Sequence, residues 1–134
     1  MKITSNQSKR RRGVATVEFA VCLPVVVLIV LGSIEAASML FLRQAMIQAA
    51  YEGAKVAILH DSTNSEARDA INAVVRGRRL NDVAITFSPA DISTANAGDT
   101  IRVTASVPGD ANSFLPFGPF KNKTVAADAV MIKE

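Results

Sequence analysis

The stretch RRRGVATVEF at residues 10–19, together with the apolar run that follows it to Ile34, decides how this chain is built. Three arginines and a glycine precede a segment in which Glu18 is the single charged residue between Gly13 and Ile34. A helix over residues 14–34 would be about 31 Å long at 1.5 Å per residue, which matches the hydrocarbon core of a bilayer. The other residues offer too few apolar partners to surround so continuous a run. The sequence therefore predicts a transmembrane helix rather than a buried helix of a globular core.

The basic charge of the chain is concentrated ahead of this run. Five of the 15 basic residues and none of the 12 acidic residues precede Gly13, so the rest of the chain carries 10 basic against 12 acidic residues. A short basic segment before a span predicts an N-terminus kept in the cytoplasm and a C-terminal portion outside it. Nucleic-acid binding is not expected, because the basic segment has no interleaved aromatic residues and no recognisable binding fold.

The sequence offers no pattern for catalysis or for metal binding. Cys22 is the single cysteine and cannot form an intrachain disulfide, so inside the span it serves as a small apolar residue. His60 stands beside Asp61 without further ligands. No nucleophile, base and orienting group can be grouped, and no phosphate-cradling glycine loop occurs. We therefore expect no enzyme activity, no cofactor, no metal and no small-molecule substrate.

Two processing schemes compete at the N-terminal segment, and a third possibility is that no cleavage occurs. A secretory signal would be cut after its apolar region, and the candidate site near Ala36, Ala37 and Ser38 lies next to Glu35 after an unusually long apolar run. The other scheme cuts after Gly13 and leaves a new N-terminus on a retained membrane helix. Without cleavage, the chain would be a single-span anchor carrying a periplasmic binding domain.

A series of short motifs resembles a known family. The string from Gly13 to Phe19 resembles the type IV prepilin processing motif, in the Gly-x-x-x-x-Glu-Phe form of the tight-adherence (Flp, Tad) pilus system. Over most of residues 10–60 the chain is similar to the TadE-like minor pilins, or pseudopilins. The further motifs that carry this likeness are Leu23-Pro24, Gly32-Ser33-Ile34-Glu35, Arg43-Gln44-Ala45 and Ala50-Tyr51-Glu52-Gly53-Ala54.

The resemblance implies a function in the assembly or initiation of a thin adhesive bacterial pilus. The implied partners are a prepilin peptidase, other pilins or pseudopilins, the Tad inner-membrane assembly machinery and membrane lipid. The expected location is the bacterial inner membrane, with one span and a cytoplasmic N-terminus, and the sequence leaves open whether the mature protein enters surface pili. The peptidase would cleave between Gly13 and Val14 and remove a leader whose basic cluster is Lys9, Arg10, Arg11 and Arg12.

Glu18 needs an explanation, because an ionisable group in an apolar helix marks a functional site by default. The resemblance implies that this carboxylate, which is followed by Phe19, attracts the free amine of Val14 on the same or a neighbouring subunit after cleavage. The alternative is that Glu18 lies near the cytoplasmic headgroups and reaches water. Pro24 removes a helix hydrogen bond inside the span and is expected to kink it. Glu35 is expected at the outer membrane interface, and the alternative is a second contact between subunits.

The residues after the span predict an extracytoplasmic α+β domain. An amphipathic helix is expected over residues 39–59, with an apolar stripe that packs on the domain's own sheet or, as the alternative, on sister helices in a filament. The predicted division is a leader at residues 1–13, a transmembrane helix at 14–38 and the domain at 39–134. The stripe consists of Ile47, Ala50, Tyr51, Ala54 and Ile58.

The second half of the domain changes from a helical to an alternating pattern. A second helix is predicted from a capping box formed by Thr63 and Glu66 to Gly77. Apolar and polar residues then alternate with a period of two, which predicts a small antiparallel sheet of about three strands. The strands are expected at residues 83–88, 101–107 and 124–132.

Three phenylalanines lie in a proline-containing segment before the last predicted strand. They are Phe114, Phe117 and Phe120. The prolines predict a rigid turn rather than a strand. We expect these aromatic side chains to plug one end of the sheet, or to form a docking surface for another pilin or for the outer leaflet of the membrane.

Overall fold

The computed structural model of the chain describes residues 6–112 and 122–134, with side chains from Gly13 onward. The chain forms two compact units, Met1–Ile34 and Glu35–Glu134. The described residues form two α-helices, one short 3-10 helix and three strands. The α+β fold predicted from the sequence is confirmed.

Helix α1 extends from Asn6 to Ala57 without interruption and contains both the predicted span and its amphipathic continuation. It begins ahead of the predicted span, which is consistent with the good helix propensity of the Lys and Arg residues before Gly13. Pro24 lies inside α1, and the kink expected there stays a prediction. The Ser33 hydroxyl donates to the Ile29 carbonyl at 2.8 Å, so this polar group is satisfied within the apolar segment.

Helix α2 extends from Asn64 to Gly77, and the predicted capping box is confirmed. The Glu66 N–H donates to the Thr63 hydroxyl at 3.4 Å, while the Thr63 N–H donates to the Glu66 carboxylate at 2.9 Å. The Thr63 hydroxyl also donates to this carboxylate, at 3.0 Å. The hydrogen bonds that the carboxylate accepts from the Thr63 N–H and hydroxyl lower the pKa of Glu66 below its usual value of 4.5. One face of α2 enters the core through Ala67 and Ile71.

Strands β1 (Ala84–Ser88), β2 (Thr100–Pro108) and β3 (Thr124–Ile132) form an antiparallel sheet in the order β1-β2-β3. A short 3-10 helix between β1 and β2 buries Ile92, which the alternating pattern did not predict. The same pattern gives each strand one apolar face, and in the central strand β2 this face is fully buried. It consists of Ile101, Val103, Ala105 and Val107.

The packing of α1 in the second unit depends on small side chains. A Cβ at position 53 would lie 2.5 Å from the Ile71 Cδ1 atom and 3.3 Å from the Val103 Cγ1 atom. Gly53 therefore lets α1 approach α2 and β2 more closely than any other residue would. The buried residues of this part of α1 are Glu35, Leu42, Ala45, Met46, Ala49, Ala50, Gly53, Ala54 and Ala57.

The apolar stripe predicted for this part of α1 is correct for Ala50 and Ala54 but wrong for Ile47 and Tyr51. Both alanines are fully buried, whereas Ile47 and Tyr51 are each 51% exposed. The close approach turns the alanine and glycine face of α1 toward the sheet, so the larger side chains on the adjoining flank are left outside. The described residues therefore leave an apolar flank of α1 open.

The end of α1 is tied to the C-terminal residues through a buried lysine. The Lys133 ammonium lies 3.2 Å from the Ser62 hydroxyl, 3.3 Å from the Ile92 carbonyl and 3.5 Å from the Ala57 carbonyl. A cation beside the last carbonyls of a helix is favoured by the helix dipole. Lys133, which the sequence pattern did not single out, thus joins α1 to the loop after it and to the 3-10 helix.

Candidate processing and assembly site

The predicted cleavage point lies in an open part of α1. Gly13 and Val14 are both exposed, and a Cβ at Gly13 would meet no atom of the described chain within 4 Å. Packing therefore does not explain this glycine, in contrast to Gly53. Glycine inside a helix is less favourable than alanine by about 1 kcal/mol. The helix is thus locally weakened at the point where a protease would need access to the backbone.

Glu18 follows Val14 by four residues, so the two lie one turn apart on the same face of α1. The Glu18 side chain is exposed, and Phe19 is 67% exposed. The nitrogen of Val14 is an uncharged amide in the uncleaved chain, and cleavage would convert it to an amine that is mostly protonated at neutral pH. The geometry allows a carboxylate–amine pair within one helix and also leaves the carboxylate open to a neighbouring helix.

The remaining predicted site residues do not gather around this point in the described structure. Pro24 lies further along α1, inside the apolar segment. The predicted aromatic docking residues Phe114, Phe117 and Phe120 lie outside the described residues. The basic cluster belongs to the first turns of α1 and consists of Lys9, Arg10, Arg11 and Arg12.

The first unit presents apolar side chains on every face of α1. Among the described residues, α1 is the one helix that is long and apolar enough to span a membrane. A helix that is apolar all round is covered either by lipid or by other apolar helices. The exposed large side chains of this segment are Val14, Val17, Phe19, Val21, Leu23, Val25, Val26, Val27, Leu28, Ile29, Val30 and Ile34.

A second surface lies in the unit that begins at Glu35, and sequence reasoning missed it. A groove of about 590 Å³ lies between α1 and the start of β3. One flank of the helix carries Leu40, Ile47 and Tyr51, which are separated by seven and four residues. This spacing is the signal in the sequence that could have revealed the surface. The groove is lined by Ala36, Met39, Leu40, Arg43, Lys123, Thr124, Val125 and Ala126.

The described titratable side chains of the second unit form no cluster suited to binding a metal ion. Glu35 was expected at the outer membrane interface, but its side chain is 1% exposed and has an interaction partner. It therefore belongs to the interior of this unit. His60 and Asp61 form an exposed pair at 3.5 Å. The described part of the chain holds no group of three His, Cys, Asp or Glu side chains placed to bind a metal ion.

These features define a class of protein in which an apolar N-terminal helix continues into a small α+β domain. The helix carries one carboxylate, Glu18, near the start of its apolar segment. Residues 13–55 match the family model described as TadE-like protein. The chain is TadE-like over this range, and the resemblance indicated by its motifs is confirmed there. The matched range begins at Gly13, contains Glu18 and Gly53, and lies wholly within α1. No curated protein and no solved structure matches the chain.

Proposed function

We propose that this chain is a minor pilin, or pseudopilin, of the Tad system that takes part in the assembly or initiation of a thin adhesive pilus. The observation that carries the proposal is the TadE-like match over residues 13–55. It is supported by the exposed apolar segment of α1, in which Glu18 stands one turn after Val14. The role is structural, so it requires no catalytic group, cofactor or small-molecule substrate in this chain.

Removal of the leader by a prepilin peptidase is the first step of the proposed function. Hydrolysis of the bond between Gly13 and Val14 leaves a carboxylate on the glycine and an amine on the valine. Glycine suits this position because it exposes the backbone without a side chain and weakens the helix locally. The basic cluster before Gly13 keeps the leader on the cytoplasmic side, where the peptidase would act.

The new amine gives Glu18 an opposite charge one turn away. A charged side chain at the centre of a membrane helix costs about 2.5–3.5 kcal/mol on insertion scales, and a cost of this kind favours pairing. When the amine belongs to a neighbouring subunit, the same pair also fixes the register between two helices. Glu18 is therefore proposed as the residue that links leader removal to subunit assembly.

The proposed location is the bacterial inner membrane, with one span, a cytoplasmic N-terminus and a periplasmic domain. The basic leader supports this orientation, and the apolar surface around α1 supports the span. Membrane helices associate by side-chain packing and by interhelical hydrogen bonds rather than by hydrophobicity alone. Other pilins and the Tad assembly machinery are therefore proposed to meet this chain along residues 14–34.

The experiment that tests processing is mass spectrometry of the mature N-terminus of the full chain, expressed with and without a Tad prepilin peptidase. We expect a chain that begins at Val14 only when the peptidase is present. Gly13→Ala is expected to reduce cleavage, whereas Gly32→Ala, at another glycine in open surroundings, is the matched control. An intact N-terminus with the peptidase present would favour an uncleaved anchor, and a start near Ser38 would favour signal peptidase.

The experiment that tests pairing uses Glu18→Ala, with Val21→Ala as a matched change at another exposed position of the span. We expect both variants to be processed and inserted, and only the loss of Glu18 to reduce recovery of the protein with sheared pili. If Glu18→Ala leaves processing, membrane insertion and pilus assembly unchanged, the pairing role is wrong.

A further inference from the structure

Strand β3 runs beside α1 in the same direction. Thr124, at the start of β3, and Leu40 of α1 line the same groove. Just beyond the other end of β3, the Lys133 ammonium lies 3.5 Å from the Ala57 carbonyl at the end of α1. These contacts place α1 and β3 side by side along most of the length of the strand.

The outer edge of β3 is long, and the described residues give it little of the usual protection. Its nine residues pair with β2 without a bulge, and no other strand among the described residues pairs with its outer edge. The strand contains no Pro and no Lys, and its single charge, Asp128, is paired with Arg102. Edge strand β1, by contrast, has five residues and is followed by Pro89. Unprotected edges carry N–H and C=O groups that can pair with another strand.

The apolar surface beside this edge is only partly covered. The inward side chains of β2 are fully buried, whereas their neighbours on β3, from Val125 to Met131, are half-buried. On the α1 side, Leu40 is 63% exposed, and Ile47 and Tyr51 continue the same flank. One additional strand beside β3 would therefore place its inward side chains over the open flank of α1.

The start of the groove includes cationic side chains. Arg43 and Lys123 both line it. A strand that runs antiparallel to β3 would have its C-terminal end beside Thr124, and therefore close to Arg43. A carboxylate at that end would complement the guanidinium. Along the rest of the groove, alternate residues of the added strand would need apolar side chains, because one face of the strand meets α1.

We propose that this groove binds an extended segment of another protein as a fourth strand, antiparallel to β3, with alternate apolar side chains over α1 and a carboxylate near Arg43. Backbone pairing along the strand edge supplies affinity, and the alternating side chains supply specificity. The inference rests on the second unit alone and does not depend on the proposed role in pilus assembly.

The first test is peptide binding by the full chain in phospholipid nanodiscs. The probe is a short fluorescent peptide that alternates valine and threonine and ends in two glutamates. We expect saturable binding by fluorescence anisotropy, weakened by salt. Because Tyr51 is the single tyrosine and the chain has no tryptophan, an unlabelled form of the peptide is also expected to change the intrinsic tyrosine fluorescence.

Charge reversal at Arg43 makes the test specific to the groove. Arg43→Glu is expected to weaken binding of the glutamate-ended peptide by at least about tenfold, and to strengthen binding of an otherwise identical lysine-ended peptide. Gln44→Glu changes the neighbouring exposed position of α1 and serves as the control. It is expected to change either affinity by less than about twofold.

A lysine on the inner face of β3 tests the position of the added strand. Ala127→Lys puts a charge into the space that the added strand would fill, and it is expected to weaken binding by at least about tenfold. Val130→Lys adds the same charge on the outer face of the same strand and is expected to leave binding unchanged. Hydrogen exchange of the β2 amides establishes that both variants are folded.

The proposal is overturned if the wild-type chain shows no saturable binding, or if both β3 lysine variants lose binding equally. Binding that appears only after Phe114, Phe117 and Phe120 are changed to serine would assign the groove to the chain's own segment. A concentration-dependent dimer that Ala127→Lys dissociates, without peptide binding, would assign it to a second copy. Quenching of Tyr51 by brominated lipid, without a response to the peptide, would assign it to the membrane.

Discussion

The two parts of helix α1 are both apolar, but they use their apolar side chains in opposite ways. From Gly13 to Ile34 the large side chains are exposed around the whole helix. From Glu35 to Ala57 the buried face is made mainly of alanine and glycine, and several larger side chains point away from the core. The first part requires an apolar surrounding that the described residues do not provide, whereas the second part packs within its own domain.

This difference shows that side-chain size, and not only hydrophobicity, decides how each part of α1 packs. Small residues allow a helix to lie close to a sheet, so Gly53 fits between Ile71 and Val103. Near Leu28, large branched residues surround the whole helix. All of its faces are therefore equally bulky and apolar, and no single face is suited to packing in a compact core.

Truncation of the adjacent residues Met46 and Ile47 is expected to give the largest difference in the free energy of unfolding. Met46 is fully buried, so Met46→Ala leaves a cavity and is expected to lower the free energy of unfolding of the domain by about 2–5 kcal/mol. Ile47→Ala is expected to lower it by less than about 0.5 kcal/mol. Hydrogen exchange of the β2 amides measures both values in the full chain. Similar losses for the two variants would contradict the assignment of the buried face.

A charge in the first part of α1 is expected to affect membrane insertion. Leu28→Arg places a guanidinium near the centre of the apolar segment and is expected to raise the free energy of insertion by about 3 kcal/mol. Gln44→Arg, outside that segment and exposed, is expected to have no effect. Carbonate extraction of membranes measures the inserted fraction. Release of the wild-type chain itself into the soluble fraction would contradict the assignment of this part of α1 as a span.

Alanine substitutions at Gly53 and Gly32 test whether close packing of α1 depends on the glycine at position 53. Gly53→Ala is expected to destabilise the domain by about 1–3 kcal/mol through overpacking against Ile71, partly offset by about 1 kcal/mol of better helix propensity. A Cβ at Gly32 meets no described atom within 4 Å, so Gly32→Ala is expected to leave the domain unchanged. Hydrogen exchange of β2 again gives the measurement, and a neutral Gly53 variant would contradict the close approach.

The smallest expected effect is a pH dependence outside α1, at the cap of α2. The pKa of Glu66 is lowered in the folded domain, so its stabilising contribution is present above its usual value of 4.5 and is lost as the pH falls through the folded value. Glu66→Gln is expected to reduce the decline in stability below pH 4.5 in urea unfolding. Asp91, whose pKa is lowered by hydrogen bonds from Ser93, is expected to act similarly below its usual value of 3.8. An unchanged acid slope in the Glu66 variant would remove the capping explanation.

Local signals predicted the elements of the fold well. The hydroxyl of Thr63 and the carboxylate of Glu66, three residues apart, identify the start of α2, because few other arrangements satisfy both free backbone N–H groups. The alternation from Thr124 to Ile132 likewise identifies β3 despite its alanines. These features depend on residues close together in sequence.

Features that depend on distant residues could not be predicted in the same way. The burial of Ala50 rather than Ile47 follows from how closely α1 approaches Val103 and Ile71, which lie far along the chain. The same is true of Lys133, whose bonding partners come from three separate elements. At the candidate site, the relative positions of Gly13, Val14 and Glu18 could be predicted from their spacing, because all three lie on one helix. The groove beside β3 could not be predicted in this way, because its two sides come together only in the folded domain.

The buried Lys133 has a consequence for the order of events during synthesis. Its hydrogen bond to the Ala57 carbonyl joins residues 76 positions apart, so this bond forms only after the strand before Lys133 has been made. The Ser62 hydroxyl, which donates to the same carbonyl at 2.8 Å, is available much earlier. If the domain crosses the membrane as proposed, α1 begins its passage before the sheet that covers its alanine face exists. Completion of translocation therefore sets the earliest time at which the domain can close.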